Sequence, residues 1–490
     1  MSQADHGALR KALELAVSFL DGLDREPVSE PVDLADLRMR LGRPLGDEPC
    51  APESVIAELA RDVEGAVMRS AGGRFFGWVI GGGLPAAIAA DWLTAVWDQN
   101  AVLYGAGPAA AVVEEVVGQW IKEILGLPAD ASFALVTGTQ MAHFTCLAAA
   151  RHAVLQRCGW DVEQNGLFAA PPIRVLCSDQ HHGSIERAVR YLGLGQARIV
   201  TVPTDSMNRI QPGLFEQALV RDGSSPTVVI LQAGDICTGA FDDFKTLIPT
   251  AQRRNAWVHV DGAFGLWAGA SPKYRHLLKG VERADSWTTD GHKWLNVPFD
   301  CGFAFVASPK GHRDSVSHRA AYLTHDEQAR DQMDWTPEWS RRARGFAASY
   351  AALRQLGRTG LANLIERCCE HTRSVVRKLA KMPGVVVLSE PLLNQALIRF
   401  EDPRPNGTPA DHDRRTDSII AAVVASGEAF FTGTTWKATR AMRVSVCNWR
   451  TTSSDIERTV AAFAKVLGAR TAHHQNDAER LHEQFIADGI

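Results

Sequence analysis

The sequence predicts an α/β protein: a mainly parallel sheet flanked by helices, with a helical N-terminal segment and a small C-terminal α/β domain. Three observations carry that prediction. Short apolar or β-branched runs of strand length, Ile173–Cys177, Arg198–Val202, Thr227–Gln232, Trp257–Val260 and Gly302–Val306, alternate with helical patterns through the middle of the chain. Buried strands separated by helices imply parallel pairing with both faces covered. The chain up to about residue 105 shows helical spacing without strand alternation, and after about residue 360 a long helix precedes short strands and two more helices.

In order, Leu9, Leu13, Val17 and Leu20 place an apolar stripe on a helix over residues 8–23, broken by Gly22 and a Pro-containing stretch. Pro52 and Glu53 open a helix expected over 52–70, and Gly81-Gly82-Gly83 precedes an apolar helix near Pro85–Asn100. Val112–Leu125 is amphipathic and ends at Gly126 and Pro128. Leu361–Met382 reads as a long helix stopped by Pro383-Gly384. Val385–Leu388, Gln395–Phe400 and Met442–Val446 suggest a small mixed sheet, with helices over Thr416–Ser426 and Ser454–Val466. Residues 401–413 read as a polar, Pro-rich loop and the tail beyond Gly468 as a polar helix. There is no internal repeat. The expected domains are 1–105, 106–365 and 366–490.

The chain has 490 residues, 46% apolar and 22% charged, with a net charge of −4. That is the balance of a soluble globular protein, and it disfavours nucleic acid, whose binders carry a basic face. No window approaches about 18 uncharged apolar residues, and the first twenty residues lack a signal-peptide apolar region. A cytoplasmic protein without membrane partners is the expectation. Nine scattered cysteines without CxxC spacing favour reduced thiols over a disulfide framework or a metal site. Only 11 residues are lysine, which shortens the list of amine nucleophiles.

Four segments carry chemistry. In Ala284–Trp294 (ADSWTTDGHKW), Lys293 sits between His292 and Trp294 in a Gly-containing loop after a strand. A lysine attacks a carbonyl only when its amine is neutral, and partial burial depresses its pKa toward that state; an ordinary loop lysine is the plain alternative. Trp257–Ala263 (WVHVDGA) is an apolar strand ending in Asp261, whose carboxylate suits a protonated pyridine nitrogen, or alternatively a helix cap. Val175–Ser184 (VLCSDQHHGS) ends in His182, placed to stack on an aromatic ring or to be a simple loop residue. Thr137, Gly138, Thr139 and Gln140 open a helix whose free N–H groups and dipole form an anion site, a pattern also common as a plain cap.

In chain order these are a phosphate cradle, a stacking histidine, a ring-nitrogen carboxylate and a lysine, the four parts that a pyridoxal-5′-phosphate (PLP) site needs. At these residues the chain resembles the PLP-dependent decarboxylases related to aromatic-amino-acid, histidine and glutamate decarboxylases, of the aspartate-aminotransferase fold type. The matching segments are TGTQMA (137–142), SDQHHGSIERA (178–188), HVDGAF (259–264) and DGHKWLNVPFDCG (290–302). Arg74–Gly77, Trp335 with Ser340–Arg344, and Leu356–Gly360 match as well, so the resemblance runs from about residue 50 to 465.

The resemblance implies a seven-stranded main sheet, PLP as cofactor, no metal, and a homodimer with sites at the subunit interface and intertwined N-terminal segments. Lys293 would carry PLP as a Schiff base, His292 would position the phosphate, and Asp261 would pair with the ring nitrogen. Ala263 would pack under the ring and His182 above it. Thr139 and Gln140 would hold the phosphate, with Thr137, Gly138 and Asp290 completing the cofactor set. Gly357 corresponds to a position reaching the phosphate in the neighbouring subunit.

The implied activity is decarboxylation of an L-amino acid to an amine. One departure bears on it: relatives carry a tyrosine shortly before the Arg-rich motif to reprotonate Cα, and Gln332 stands at that position. Glutamine has no proton to give at neutral pH. Relatives that lose the tyrosine let the carbanion meet oxygen, releasing aldehyde, ammonia and CO₂, so oxidative deamination is the alternative activity. Tyr322, His325 or a water are other candidate proton donors. Cys237, in Asp235-Ile236-Cys237, lies where relatives carry Asn or Thr near the cofactor's 3′-oxygen, and Met141 replaces a usual glutamate. Other PLP chemistry and a degenerate binding protein are further classes; retained Lys293, Asp261 and His182 argue against the last. Trp78, Phe76 and Leu103 are candidate pocket walls, although aromatic residues in this front region are more often core. The expected substrate is an aromatic or other medium-sized amino acid.

Overall fold

The front of the chain is helical, as its spacing predicts: α1 (Gly7–Gly22), α2 (Leu34–Leu41) and α3 (Pro52–Asp62). In this computed structural model residues 6–221, 225–318 and 329–468 are described. Asp33 caps α2 by accepting the N–H groups of Ala35 and Asp36. The helix expected over 52–70 stops at Asp62, ahead of Gly65 at φ 76°. Next come α4 (Pro85–Trp97) and α5 (Pro108–Leu125), each begun by a proline in its first turn.

The alternating region comprises β1 (Ser132–Val136), α6 (Thr139–Gln156), α7 (Val162–Asn165), β2 (Arg174–Ser178), α8 (Gly183–Tyr191), β3 (Ile199–Val202) and α9 (Pro212–Val220). It continues with β4 (Thr227–Gln232), α10 (Phe244–Gln252), β5 (Trp257–Asp261), β6 (Ser286–Asp290), β7 (Gly302–Val306) and α11 (Pro309–Val316). The long helix α12 (Ala352–Leu379) is broken at Gly357. Last come β8 (Val385–Ser389), β9 (Gln395–Phe400), α13 (Pro409–Ala425), β10 (Thr432–Trp436), β11 (Thr439–Ser445) and a helix over 453–468. α13 begins inside the stretch expected to be a loop. Thr408 and Asp411 form a reciprocal capping box and Pro409 occupies the first turn, so the proline starts a helix there instead of preventing one.

The chain divides into two units, one comprising Met1–Trp78, Arg373–Leu388 and Leu397–Ile490, the other Val79–Thr372 with Ser389–Ala396. Residues up to Trp78 thus group with the C-terminal segments of the chain. The reason is visible at Arg74, 2% exposed, whose guanidinium donates to the carbonyls of Glu428 (2.5 Å) and Glu26 (2.9 Å). Phe75 stacks on Phe430 with centroids 4.7 Å apart. Most of a four-stranded sheet, ordered β10-β11-β9-β8, belongs to this unit.

The other unit holds a seven-stranded sheet ordered β1-β7-β6-β5-β4-β2-β3, parallel except that β7 runs against both of its neighbours. β1, β2, β4, β5, β6 and β7 are buried along their whole length, as their continuous apolar character demands for a sheet covered on both faces. α6 packs on it through small residues, Ala142, Cys146, Ala149 and Ala150, all 0% exposed, which bring the start of that helix close to the strand ends. No described helix is long and apolar enough to cross a membrane.

Candidate active site

The carboxyl ends of β1, β2, β4, β5 and β6 open onto one cavity of about 570 Å³, where ligands of doubly wound sheets bind. Thr137, Gly138, Thr139, Gln140, His182, Asp261, Ala263, Asp290, His292 and Lys293 border it. Cys237, Gln332 and Gly357 do not.

β6 delivers Asp290 as its last residue, and the turn Gly291-His292-Lys293 comes next. Gly81 makes that turn possible: a Cβ there would lie 1.7 Å from the Lys293 carbonyl oxygen, so the glycine run lets two backbones touch. Lys293 Nζ stands 3.0 Å from Asp290 Oδ2, and Asp290 Oδ1 accepts the Thr139 N–H at 2.7 Å. Burial works to raise the Asp290 carboxyl, but the Lys293 ammonium, the neighbouring His292 and the Thr139 N–H outweigh it and hold it below the usual range. One carboxylate thus ties the lysine to the start of α6.

Gly302, opposite Val136 in β7, leaves room for the Thr137–Gly138 turn; a Cβ there would sit 2.5 Å from the Gly138 Cα. The Thr139 hydroxyl, next in the chain, is buried without a hydrogen-bond partner. Gln140 Nε2 donates to the Ser184 carbonyl (3.3 Å), linking α6 to α8. Burial lowers the His292 pKa, so its ring is neutral; Nδ1 accepts the Cys301 N–H (3.1 Å), which leaves the proton on Nε2. That ring stacks on Phe299, centroids 4.3 Å apart.

β5 ends in Asp261, with Ala263 N–H donating to its Oδ1 at 3.2 Å. Burial alone would raise this carboxyl, yet it is held well below the usual range, first by His143 beside it and then by His182 and Lys293. His182 caps α8, its Nδ1 accepting the Ser184 N–H (3.2 Å), which sets the ring at the cavity edge.

The pyridoxal-dependent decarboxylase conserved domain matches residues 38–400 of this sequence. The chain belongs to the pyridoxal-dependent decarboxylase family. An aromatic-L-amino-acid decarboxylase of Bacillus atrophaeus is 30% identical over 60% of this chain; that match spans 60% of the relative's own length, less than two thirds. A 4-hydroxyphenylacetaldehyde synthase of Rhodiola rosea is 30% identical over 67% of this chain and 68% of the relative. Among solved structures, the Oryza sativa TDC solved with PLP and tryptamine superposes with a TM-score of 0.90 at 22% identity, covering 96% of this chain and 99% of that one.

The cavity suits the cofactor of the pyridoxal-dependent decarboxylases. A phosphate dianion needs convergent O–H and N–H donors, and the orphaned Thr139 hydroxyl, the first turn of α6 and His292 Nε2–H supply them. A flat ring needs a small neighbour, which is Ala263, and its nitrogen an ionised acid, which is Asp261. An aldehyde needs an amine, and Lys293 offers one. Replacing Thr139 by valine keeps the shape and removes the hydroxyl. The expected result is roughly 10- to 100-fold weaker PLP binding by the apoprotein, the range of a hydrogen bond to a charged group. A PLP titration checks this, and unchanged affinity would remove Thr139 from the cradle.

Gln332 is 1% exposed within a short 3₁₀ turn, and both amide atoms lack partners among the described residues. The turn is fastened by the Tyr104 N–H to Asp331 Oδ1 (2.8 Å) and the Met333 N–H to the Val102 carbonyl (3.1 Å). These bonds hold it off the cavity of its own chain. Tyr322 and His325 lie outside the described residues. Cys237 gives its N–H to Asp235 Oδ1, and Ile236 borders the cavity in its place. Gly357 stands at φ 59° in the kink of α12. Phe76 is fully buried and stacks on Phe431, so it is core. The aromatic walls of the cavity are Phe264 and Phe299. Gln232 also lines it; as the last residue of β4 it was identifiable by the argument that found Asp261.

Proposed function

We propose that this protein removes the α-carboxylate of an aromatic or other medium-sized L-amino acid, with Lys293 and Asp261 acting on PLP in one cavity. The observation that carries the reading is their convergence: the cavity's one lysine among the described residues, tied to the phosphate cradle by Asp290, shares a wall with a carboxylate held ionised. Bound PLP supplies an aldehyde that captures amines and a ring that takes up the electron pair left when CO₂ departs.

The protein's own groups do the rest. The start of α6, Thr139 and His292 would anchor the phosphate, so that binding energy goes into positioning the ring. Asp261, held ionised, would keep a proton on the ring nitrogen and so make the ring a better acceptor of electrons. Lys293, its amine 3.0 Å from Asp290 Oδ2 on the cavity wall, would be the group that holds the cofactor's aldehyde. His182 and Phe299, at the cavity edge, shield the reacting centre from water.

A second reading, decarboxylation coupled to oxidation, draws on Gln332 and on the aldehyde synthase among the relatives. Its balance is amino acid plus O₂ plus water giving aldehyde, CO₂, ammonia and hydrogen peroxide. Incubating PLP-loaded protein with a panel of L-amino acids while following CO₂, amine, aldehyde and oxygen separates the two. CO₂ with stoichiometric amine supports simple decarboxylation; oxygen uptake matching aldehyde supports the second; no CO₂ from any amino acid refutes both. If Gln332 sets the outcome, Gln332→Tyr shifts product from aldehyde toward amine by about a hundredfold, the lower end of general-acid contributions. An unchanged product ratio would show that position to be irrelevant.

The reading extends to a homodimer. Leu9, Leu13 and Val17, the stripe expected to be buried, are 54, 51 and 47% exposed in the single chain. A Cβ on Gly357 would meet open space, leaving its backbone available to a second copy's phosphate. Light scattering is expected to give twice the chain mass, and a monomer that retains full activity would contradict the shared site.

A further inference from the structure

Behind Asp261, away from the cavity, lies a continuous line of buried polar groups. Trp257 Nε1 donates to Ser286 Oγ at 2.9 Å, and Ser286 Oγ is 2.9 Å from His259 Nδ1. His259 Nε2 is 2.9 Å from His143 Nδ1, and His143 Nε2 is 3.5 Å from Asp261 Oδ2. Ser286, His259 and His143 are all 0% exposed. Strand periodicity builds half of this line: Trp257, His259 and Asp261 alternate along β5 and share one face. Ser286 enters because it pairs in register with His259 in β6. His143 comes from α6, one turn after Thr139, on the side of that helix facing the sheet.

The protons along the line can be assigned. An indole nitrogen only donates, and a neutral imidazole has one donor and one acceptor nitrogen. Burial drives the His259 pKa far down, so that ring is neutral. If its Nε2 carries the proton, it donates to His143 Nδ1, and His143 must carry its own proton on Nε2. If its Nδ1 carries the proton, His259 Nε2 accepts from His143 Nδ1; His143 then needs a second proton on Nε2 to avoid setting a lone pair against the Asp261 carboxylate. Both assignments point a His143 N–H at Asp261. At 3.5 Å that contact is longer than a good hydrogen bond, and Nε2 has no other partner.

We propose that this Trp257–Ser286–His259–His143 line is a positioning relay that holds Asp261 as an ionised, fixed acceptor for the PLP ring nitrogen, so that His143 and His259 tune the cofactor without touching it. A satisfied buried network is rigid and polarises along its length, which is what an acid required to stay charged beside a cation needs. An apolar core at these positions would remove the polar groups behind the buried Asp261 carboxylate and push its proton affinity up. The inference rests on the proposed PLP function.

The experiment loads apoprotein with PLP labelled with ¹⁵N in the ring and records its NMR shift, which reports protonation of that nitrogen, alongside PLP affinity and kcat and KM on the best amino acid. Three proteins are compared with wild type: His143→Leu, His143→Asn, whose amide can still donate, and Ser286→Ala, which cuts the relay two residues from Asp261. His143→Leu is expected to move the ¹⁵N shift toward the unprotonated pyridine value and to lower kcat by 10- to 100-fold, the usual cost of losing an outer partner, with KM within about threefold. His143→Asn is expected to restore most of the shift, and Ser286→Ala to show a smaller change in the same direction. A wild-type shift in both His143→Leu and Ser286→Ala overturns the relay. Should His143→Leu fail to fold, Ser286→Ala decides alone, since it deletes one oxygen. A wild-type protein that never takes up PLP, or holds its ring nitrogen unprotonated, instead refutes the function on which the relay rests.

Discussion

Lys293→Ala is expected to abolish CO₂ release, lowering kcat by at least about a thousandfold, and to give a protein that loses PLP on desalting. The size of the effect comes from the site's composition. Lys293 is the one lysine among the described cavity residues, so no neighbouring amine takes its place. The cradle at Thr139 and His292 remains, and PLP should still bind, but reversibly. The variant also leaves the Asp290 carboxylate, 2% exposed, without its ion-pair partner 3.0 Å away. The Thr139 N–H still bonds it, so the fold should survive with a loss of about 1–3 kcal/mol. Absorbance of the desalted protein, CO₂ release and a thermal melt separate these effects. A variant that stays yellow and active would place the cofactor on another amine and remove the central residue of the function.

How much of the molecule was readable in the sequence depended on how local the signal is. Strands buried on both faces must be apolar throughout, so β2, β4, β5 and β7 stood out, and His182, Asp261 and Lys293 were found at or just beyond strand ends. β10 was not read because TGTTW has no buried face to mark it. The start of α13 is hidden because Pro409 lies in a polar, Pro-rich stretch that reads as loop. His143 escaped notice because α6 is buried nearly all round, so a polar residue on it breaks no amphipathic pattern. His259 was readable, since strand alternation puts it on the same face as Asp261, but its importance lies in a partner 116 residues away. Gln332 was located by motif alone, and its burial is decided by bonds to Val102 and Tyr104, which no local pattern encodes. The boundary at Trp78 likewise depends on Arg74 meeting Glu428, 354 residues on.

Asp261→Asn tests the other half of the site with almost no change of shape. The amide cannot carry the charge that keeps a proton on a ring nitrogen, so the ring becomes a poorer acceptor at the moment the carboxylate leaves. The expected loss in kcat is on the order of 10³, about 4 kcal/mol of barrier, as for other preorganised charges facing a charge that develops in the reaction. PLP affinity should fall much less, because the phosphate cradle is untouched, and that contrast distinguishes an electronic role from a structural one. A pH experiment gives a second handle. The Asp261 carboxyl sits below its ordinary value because His143, His182 and Lys293 overcome the effect of burial. A depressed carboxyl contributes stability that is fully present above its unfolded value and is lost as pH falls through the folded one. Wild type should therefore lose stability relative to Asp261→Asn on acidification below about pH 5, in urea melts of the two proteins side by side. A variant that keeps kcat within about threefold, or a stability difference flat with pH, would mean that this carboxylate is an ordinary strand-end acid and that the ring nitrogen is served elsewhere.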